Sequence, residues 1–239
     1  MNITHILFDL YGTLADSRLM YPCYARQLGR VMAARYGGSP DEWSGANRRI
    51  VADWDSYYAD LDLEGDDGIN EMWEGAFRTT RALFRLTGRP EPEAPELAAL
   101  ARELPYLATR ECDTLFPEAR GVIERLHEAG YTLGIASHAT SLQSRGTLEG
   151  GGLAGFFAGP ILGPDVTGRF AKNRAYYLSA GLPPEQCLVV DDSPDGIFGA
   201  KAAGMQAVLL NREGSPPDTP ADFILTGSLE GLPAYLKPA

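Results

Sequence analysis

The chain has 239 residues, of which 44% are hydrophobic and 22% charged, enough for one large domain or two modest ones with a sizeable core. Its formal net charge of −11 argues against a nucleic-acid-binding surface, which would need clustered Lys and Arg to neutralise phosphates. No stretch approaches the roughly 18 consecutive apolar residues of a membrane helix. We therefore expect neither nucleic-acid nor membrane partners.

The N-terminal segment and the cysteines both indicate a cytoplasmic protein. The first fourteen residues lack the basic region, the long apolar run and the small-residue cleavage site of a secretory signal. The three cysteines, Cys23, Cys112 and Cys187, are far apart in the sequence and form no Cys-x-x-Cys pair. We therefore expect no disulfide framework and no zinc site, and a reducing compartment fits this pattern.

The first predicted elements are a short buried strand and a long helical block. Residues 5–11 form an apolar run that ends at a glycine. Residues 16–108 show helical periodicity without clear strands, and the proline-rich stretch 88–96 interrupts them. We interpret this block as a smaller α-helical cap domain inserted after the first strand, with residues 1–15 and 109–239 forming the core. Its tryptophans are expected to pack the interior rather than to form a substrate cage: Trp43, Trp54 and Trp73.

The rest of the chain alternates between apolar strands and helices. The strands are near-continuous apolar runs, as expected where helices cover both faces of a parallel sheet. Helical stretches at 117–130 and 195–204 each end in glycine. This alternation predicts an α/β fold with a three-layer, doubly wound parallel sheet. The further predicted strands are 131–137, 186–192, 206–210 and 222–226.

Polar side chains follow the predicted strands at the points where those strands end. Ligands of open parallel sheets bind beyond the carboxyl ends of the strands, so these side chains are expected to converge. They comprise carboxylates, hydroxyls and one ammonium group. They are Asp9 and Tyr11 at the end of the first strand with Thr13 after it, Ser137 at the end of the second, Asp191 and Asp192 at the end of the third, and Lys172 near a helix start.

The clustered carboxylates predict a bound cation. Like charges a few ångströms apart raise each other's pKa, so such clusters persist where a cation neutralises them. Oxygen ligands without thiolates indicate Mg²⁺, which bridges to substrate phosphates. The pattern therefore favours attack by Asp9 on the phosphorus of a small anionic substrate, with Ser137 and Lys172 binding the phosphoryl oxygens.

These residues resemble, in order, the four motifs of the haloacid dehalogenase-like hydrolase superfamily. The motifs are FDLYGTL (8–14), Ser137, Lys172 and VVDDSPDGIFGAKAAGM (189–205). The resemblance implies a Rossmann-like core with a mobile cap after the first strand. It implies that Asp9 is the nucleophile, that Thr13 and Ser137 hold the transferring group, and that Lys172 steadies its charge. It also implies a Mg²⁺ ion bound by Asp9, by the backbone carbonyl of Tyr11, by Asp192, and by Asp191 directly or through water.

Two motif positions favour different reactions. Phosphatases of the superfamily usually carry a second Asp where this chain has Tyr11, and Asp-x-Tyr-Gly-Thr-Leu resembles the metal-independent L-2-haloacid dehalogenases instead. The pair Asp191 and Asp192 resembles the phosphatases, and it would repel a carboxylate substrate without a cation. The preferred function is therefore a Mg²⁺-dependent phosphatase. The alternatives are a dehalogenase that forms an aspartyl ester and a non-catalytic phosphate-binding relative.

Three further side chains are weaker candidates for contacts with the substrate. His138 directly follows Ser137 and is predicted to touch the substrate. Arg48 and Arg49, in the helical block, are expected to be solvated. The oligomeric state stays open.

Overall fold

The helices of the predicted block form their own hydrophobic cluster in the computed structural model, which describes residues 3–63, 65, 67–213 and 218–236. Trp43 is fully buried there and meets the rings of Tyr36 and Phe84. The proline-rich stretch separates the last two helices, as predicted. The helices are α1 (Ser17–Tyr36), α2 (Pro40–Ala52), α3 (Asp55–Tyr58), α4 (Gly68–Thr87) and α5 (Ala94–Thr109).

In the part of the chain that the structure describes, six parallel strands form one sheet, in the order β3-β2-β1-β4-β5-β6. The five predicted strands are all present. The two-residue strand β3 was missed, because two residues carry no recognisable apolar run. The strands are β1 (His5–Phe8), β2 (Thr132–Ala136), β3 (Ile161–Leu162), β4 (Cys187–Asp191), β5 (Gln206–Asn211) and β6 (Phe223–Thr226).

Helices cover both faces of this sheet, as the apolar strands require. Along β1, Ile6 and Phe8 join the hydrophobic cluster on one face, whereas Leu7 joins the cluster on the other. The alternation follows from the pleat, which points successive side chains to opposite faces. The predicted three-layer α/β fold is therefore confirmed. The covering helices are α6 (Ala119–Glu128), α7 (Ser141–Gly150), α8 (Pro164–Thr167), α9 (Arg174–Leu178), α10 (Pro194–Ala202) and α11 (Leu232–Tyr235).

The expectation about the cysteines is wrong for two of them. Cys23 in α1 and Cys112, which follows α5, are joined by a disulfide across a sequence separation of 89 residues. Helices α1 and α5 pack against each other, so residues near the two ends of the helical block meet in space. Cys187 is buried and not disulfide-bonded.

None of the helices in the described part of the chain is long and apolar enough to cross a membrane.

Candidate active site

The order of the strands brings the predicted site residues to one edge of the sheet. Strand β1 lies between β2 and β4, and Phe8 is in register with Ile135 and with Val190. The backbone N–H of Asp9 continues this pairing by donating to the carbonyl of Val190 at 2.8 Å. Asp9 therefore lies level with the end of β4, where Asp191 is the last strand residue.

Three carboxylates and one ammonium group meet at this edge. Carboxylate oxygens of Asp9, Asp191 and Asp192 all lie within 4.8 Å of one another. The Nζ atom of Lys172 donates to Oδ1 of Asp9 at 2.5 Å and to Oδ2 of Asp191 at 2.9 Å. The Lys172 side chain is only 1% exposed, so this contact is a buried ion pair. One cation thus faces three acids at the same place.

Burial and mutual repulsion shift the pKa values of the cluster. Burial raises the pKa of Asp9 to about 7; Lys172 opposes this shift, and the charges of Asp191 and Asp192 add to it. Burial and the charge of Asp191 also raise the pKa of Asp192. Burial opposes the charged form of Lys172, yet Asp9 and Asp191 hold its pKa well above the ordinary value. The protein alone therefore neutralises this cluster only in part.

The donor set of the cluster fits a hard divalent cation. Asp191 has both oxygens engaged, one by Lys172 and the other by the backbone N–H of Ser193 at 2.9 Å. Asp192 accepts a hydrogen bond from the hydroxyl of Thr13 through one oxygen, at 3.3 Å. Asp9 and Asp192 therefore offer the less engaged oxygens. Carboxylate oxygens of this kind suit Mg²⁺, and the remaining negative charge favours its binding.

The loop after β1 is held against the cluster by a glycine and an arginine. Gly12 has φ of 96°, and a Cβ atom there would lie 2.2 Å from Oδ2 of Asp192, so only glycine fits. Arg212 directly follows β5 and donates to the carbonyls of Gly12 at 2.8 Å and of Thr13 at 2.7 Å. The sequence analysis missed Arg212, although its place at a strand end was a signal.

Ser137 is buried where β2 ends, as predicted. Its Oγ accepts a hydrogen bond from the backbone N–H of Ala139 at 3.1 Å, and its carbonyl accepts one from the hydroxyl of Tyr176 at 2.8 Å. These contacts fix the position of Ser137 and do not use its hydroxyl proton. The hydroxyl can therefore donate to a bound anion.

The phenol of Tyr11 is held by helix α7. Its oxygen lies 2.8 Å from the hydroxyl of Thr147, and the side-chain amide of Gln143 donates to it at 3.1 Å. Since the Thr147 hydroxyl donates to the carbonyl of Gln143, Tyr11 is the donor in its bond to Thr147. Burial raises the pKa of Tyr11 above its ordinary value, so the phenol stays neutral.

A comparison with known protein families bears directly on this arrangement. The family model described as "haloacid dehalogenase-like hydrolase" matches residues 3–204. The chain belongs to the haloacid dehalogenase-like hydrolases. The match spans most of the chain and confirms the family and the hydrolase class that the motifs predicted.

Curated relatives of this hydrolase include two phosphatases. The phosphoglycolate phosphatase of Salmonella typhi is 30% identical over 220 residues, which cover 87% of this chain and 81% of the relative. Hexitol phosphatase A of Escherichia coli (strain K12) is 26% identical over 252 residues, covering 100% of this chain and 97% of the relative.

Solved structures with the same fold include both dehalogenases and other hydrolases. The L-2-haloacid dehalogenase RSc1362 is 25% identical with a TM-score of 0.61, and each chain is covered fully. The HAD-hydrolase YfnB from Bacillus subtilis, solved with magnesium, is 18% identical with a TM-score of 0.63, again over both full chains. At this identity the second likeness shows the fold alone.

Beside the acidic cluster, this haloacid dehalogenase-like hydrolase has a cavity of about 690 Å³ between the helical block and the sheet. Tyr11 and His138 line it on the side of the sheet, whereas the aspartates and Lys172 do not. The ring of His138 stacks on Phe170 at 4.9 Å between centroids. Burial lowers the pKa of His138 to about 4, so the ring is neutral near pH 7.

The expectation that the tryptophans pack the interior holds only for Trp43. Trp54 is 47% exposed and lines the cavity, and Trp73 also lines it. Arg48 and Arg49 are both exposed, as expected; Arg48 lines the same cavity, whereas Arg49 lies in a separate recess with Asp41 and Glu42. Helical periodicity alone could not separate these cases, because it does not show which helix face meets a neighbour.

Proposed function

We propose that this protein is a Mg²⁺-dependent phosphatase that hydrolyses a small phosphomonoester through an aspartyl-phosphate on Asp9. The observation that carries this proposal is the cluster of three carboxylates facing the single ammonium group of Lys172. A substrate anion would be repelled from this cluster without a further cation. The phosphatases among the curated relatives support the same reaction class.

In the proposed first step, a carboxylate oxygen of Asp9 attacks the phosphorus and the ester P–O bond breaks. Ser137 donates to a phosphoryl oxygen, Thr13 does so once its hydroxyl turns from Asp192, and Lys172 balances the charge of the Asp9 carboxylate. Asp9, Asp192, Asp191 and the backbone carbonyl of Tyr11 would hold Mg²⁺, which when bound would supply positive charge to offset that of the phosphoryl group. In the second step, water attacks the acyl-phosphate and releases inorganic phosphate and free Asp9.

Tyr11 has the role of a proton donor in this scheme. The leaving oxygen needs a proton, which the neutral phenol supplies once its O–H turns from Thr147 to the ester oxygen. Because burial raises its pKa, the phenolate left by this transfer regains a proton from solvent near neutral pH and is then no base for the attacking water. We therefore expect the hydrolysis of the aspartyl-phosphate to be the slow step, visible as a burst of the leaving alcohol.

The second candidate function is dehalogenation of a 2-haloacid through an ester on Asp9. Tyr11 in the first motif favours it, and so does the likeness to the L-2-haloacid dehalogenase RSc1362. This reaction would release halide without Mg²⁺. The pair Asp191 and Asp192 favours the phosphatase, since its charge opposes a carboxylate substrate in the absence of a metal.

The test is release of phosphate from a panel of phosphomonoesters, with Mg²⁺ and with a chelator, set against release of halide from 2-chloropropionate. We expect Mg²⁺-dependent phosphate release that is abolished in Asp9→Asn and strongly reduced in Asp192→Asn. The matched control is Glu128→Gln, an exposed acid on α6 that lies outside the carboxylate cluster. Metal-independent halide release without phosphate release would replace the proposal by the dehalogenase.

The finer predictions on organisation and location stay proposals as well. We assign residues 16–108 to a cap domain whose opening admits the substrate, and residues 1–15 and 109–239 to the core. A cytoplasmic location is also kept as a proposal. The disulfide between Cys23 and Cys112 weighs against it, because disulfides persist mainly in oxidising compartments. Measuring free thiols in protein isolated from the native cells under alkylation tests this point.

A further inference from the structure

The cavity beside the acidic cluster is much larger than the body of a two-carbon phosphate ester. Its volume of about 690 Å³ falls within the range of pockets that bind drug-sized ligands. Its walls come mainly from α1, α2, α4 and α5, and they carry many aromatic and aliphatic side chains. These include Met20, Tyr21, Tyr24, Trp54, Met72 and Trp73.

Exposed apolar side chains flank this cavity. Tyr21 is 65% exposed, Val51 46% and Trp54 47%, and all three line it. The rings of Trp54 and Tyr58 stack with centroids 4.0 Å apart and an angle of 7° between their planes. Grouped large apolar side chains that remain in contact with water mark binding surfaces, because leaving them uncovered is unfavourable. An apolar ligand that enters the cavity would cover them.

Four polar side chains of the cavity are already engaged by the protein. The hydroxyls of Thr79 and Thr80 donate to backbone carbonyls of α4. The hydroxyl oxygen of Thr140 caps α7, and the amide of Gln143 is bonded to Tyr11. No Asp or Glu lines the cavity within the part of the chain that the structure describes. Ser17, Asn47 and Arg48 also line the cavity, but aromatic and aliphatic side chains outnumber the polar ones. A polyol would therefore bury more hydroxyls than these walls can pair, which costs free energy.

We infer that the substrate is a phosphomonoester whose leaving group is bulky and mainly apolar, with an aromatic ring system as the best fit. The inference rests on the proposed phosphatase function. The phosphate lies at the acidic cluster, Tyr11 and His138 border the ester oxygen, and the organic body fills the cavity. Phosphoglycolate and hexitol phosphates, which the names of the relatives mention, are too small or too polar to use these walls.

The experiment compares esters that share a primary alkyl leaving oxygen, so that leaving-group reactivity does not decide the result. The esters are 2-(1-naphthyl)ethyl phosphate, ethyl phosphate, phosphoglycolate and sorbitol 6-phosphate, each with Mg²⁺. We expect kcat/KM for the naphthyl ester to exceed the others by about a hundredfold, the effect of burying one large apolar group. Equal or faster hydrolysis of the small or polyol esters overturns this inference and leaves the phosphatase standing. No phosphate release from any ester overturns the proposed function itself.

Two further measurements locate the preference in the cavity. Ala76→Phe, which fills space on the α4 wall, should lower the ratio of kcat/KM between the naphthyl and ethyl esters at least tenfold. Phe198→Ala is the control, since Phe198 is exposed and lies outside the cavity, and it should keep the ratio. The alcohol 2-(1-naphthyl)ethanol should quench tryptophan fluorescence of the unsubstituted protein without metal, and Trp54→Phe should weaken the quenching. Absence of saturable quenching would contradict the inference even where a variant fails to fold.

Discussion

Replacing Lys172 by methionine removes the ammonium group between two buried carboxylates while keeping much of the apolar stem. The side chains of Lys172 and Asp191 are each 1% exposed and that of Asp9 is 9% exposed, so solvent cannot replace the lost cation. Breaking a buried ion pair by removing one partner costs about 3–5 kcal/mol. We expect a loss of this size in the free energy of unfolding at pH 8 without metal, measured by urea denaturation.

The matched control is Lys201→Met. Lys201 pairs with Asp222 at 2.8 Å, but its side chain is 31% exposed and that of Asp222 is 34% exposed. The pair is partly solvated, so its loss should cost less than about 1 kcal/mol.

The loss in Lys172→Met should depend on pH in a defined direction. Without the lysine, which opposes the raised pKa of Asp9, that pKa rises further, so the folded variant binds a proton that the unfolded chain does not hold. The stability of the variant therefore falls as pH rises above the unfolded pKa of about 4, and the difference from the unsubstituted protein is larger at pH 8 than at pH 5. A loss no larger than that of the control, or one unchanged between these pH values, would refute the reasoning.

Three further predictions concern the metal, the disulfide and the loop after β1. The pKa of Asp9 is raised from 3.8 to about 7, so the metal-free protein loses stability as pH rises through that interval. Mg²⁺ should therefore raise Tm more at pH 8 than at pH 5, and an equal rise in Tm at the two pH values would contradict this. Reduction of the Cys23–Cys112 disulfide, or the double substitution Cys23→Ser and Cys112→Ser, should lower the free energy of unfolding in urea by about 2–4 kcal/mol, because this bond closes a long loop. The control is Cys187→Ser, which should lose as much stability on reduction as the unsubstituted protein does. Arg212→Met should lower kcat/KM by about a hundredfold through the loop that Arg212 holds. Arg212→Lys should restore little of the lost kcat/KM, because an ammonium group lacks the fork of donors that binds two carbonyls. Full activity in Arg212→Lys would show that only the positive charge of Arg212 matters.

Several features of the fold and the site followed from the sequence because they depend on local pattern. Apolar runs marked five of the six strands, and the residues directly after those runs are Asp9, Ser137 and Asp192, with Asp191 at the end of its strand. The carboxyl ends of parallel strands meet at one edge, so the convergence of these residues could be predicted without coordinates. Local pattern could not reveal β3, whose two residues make no run.

The tertiary structure decided which distant residues meet. Cys23 and Cys112 looked too far apart to pair, yet the packing of α1 against α5 joins them. Arg212 became part of the site only because β5 ends close to the loop after β1.

The same limit applies to the cavity and to Tyr11. The sequence by itself determined the fold class, the acidic edge of the sheet and the order of its motifs, because strand and helix periods and strand-end positions are properties of neighbouring residues. Only the tertiary structure showed that α7 holds the phenol of Tyr11, and that Trp54 faces a cavity while Trp43 is buried. The packing of helices against one another and against the sheet sets these environments, and periodicity within a single helix does not contain that information.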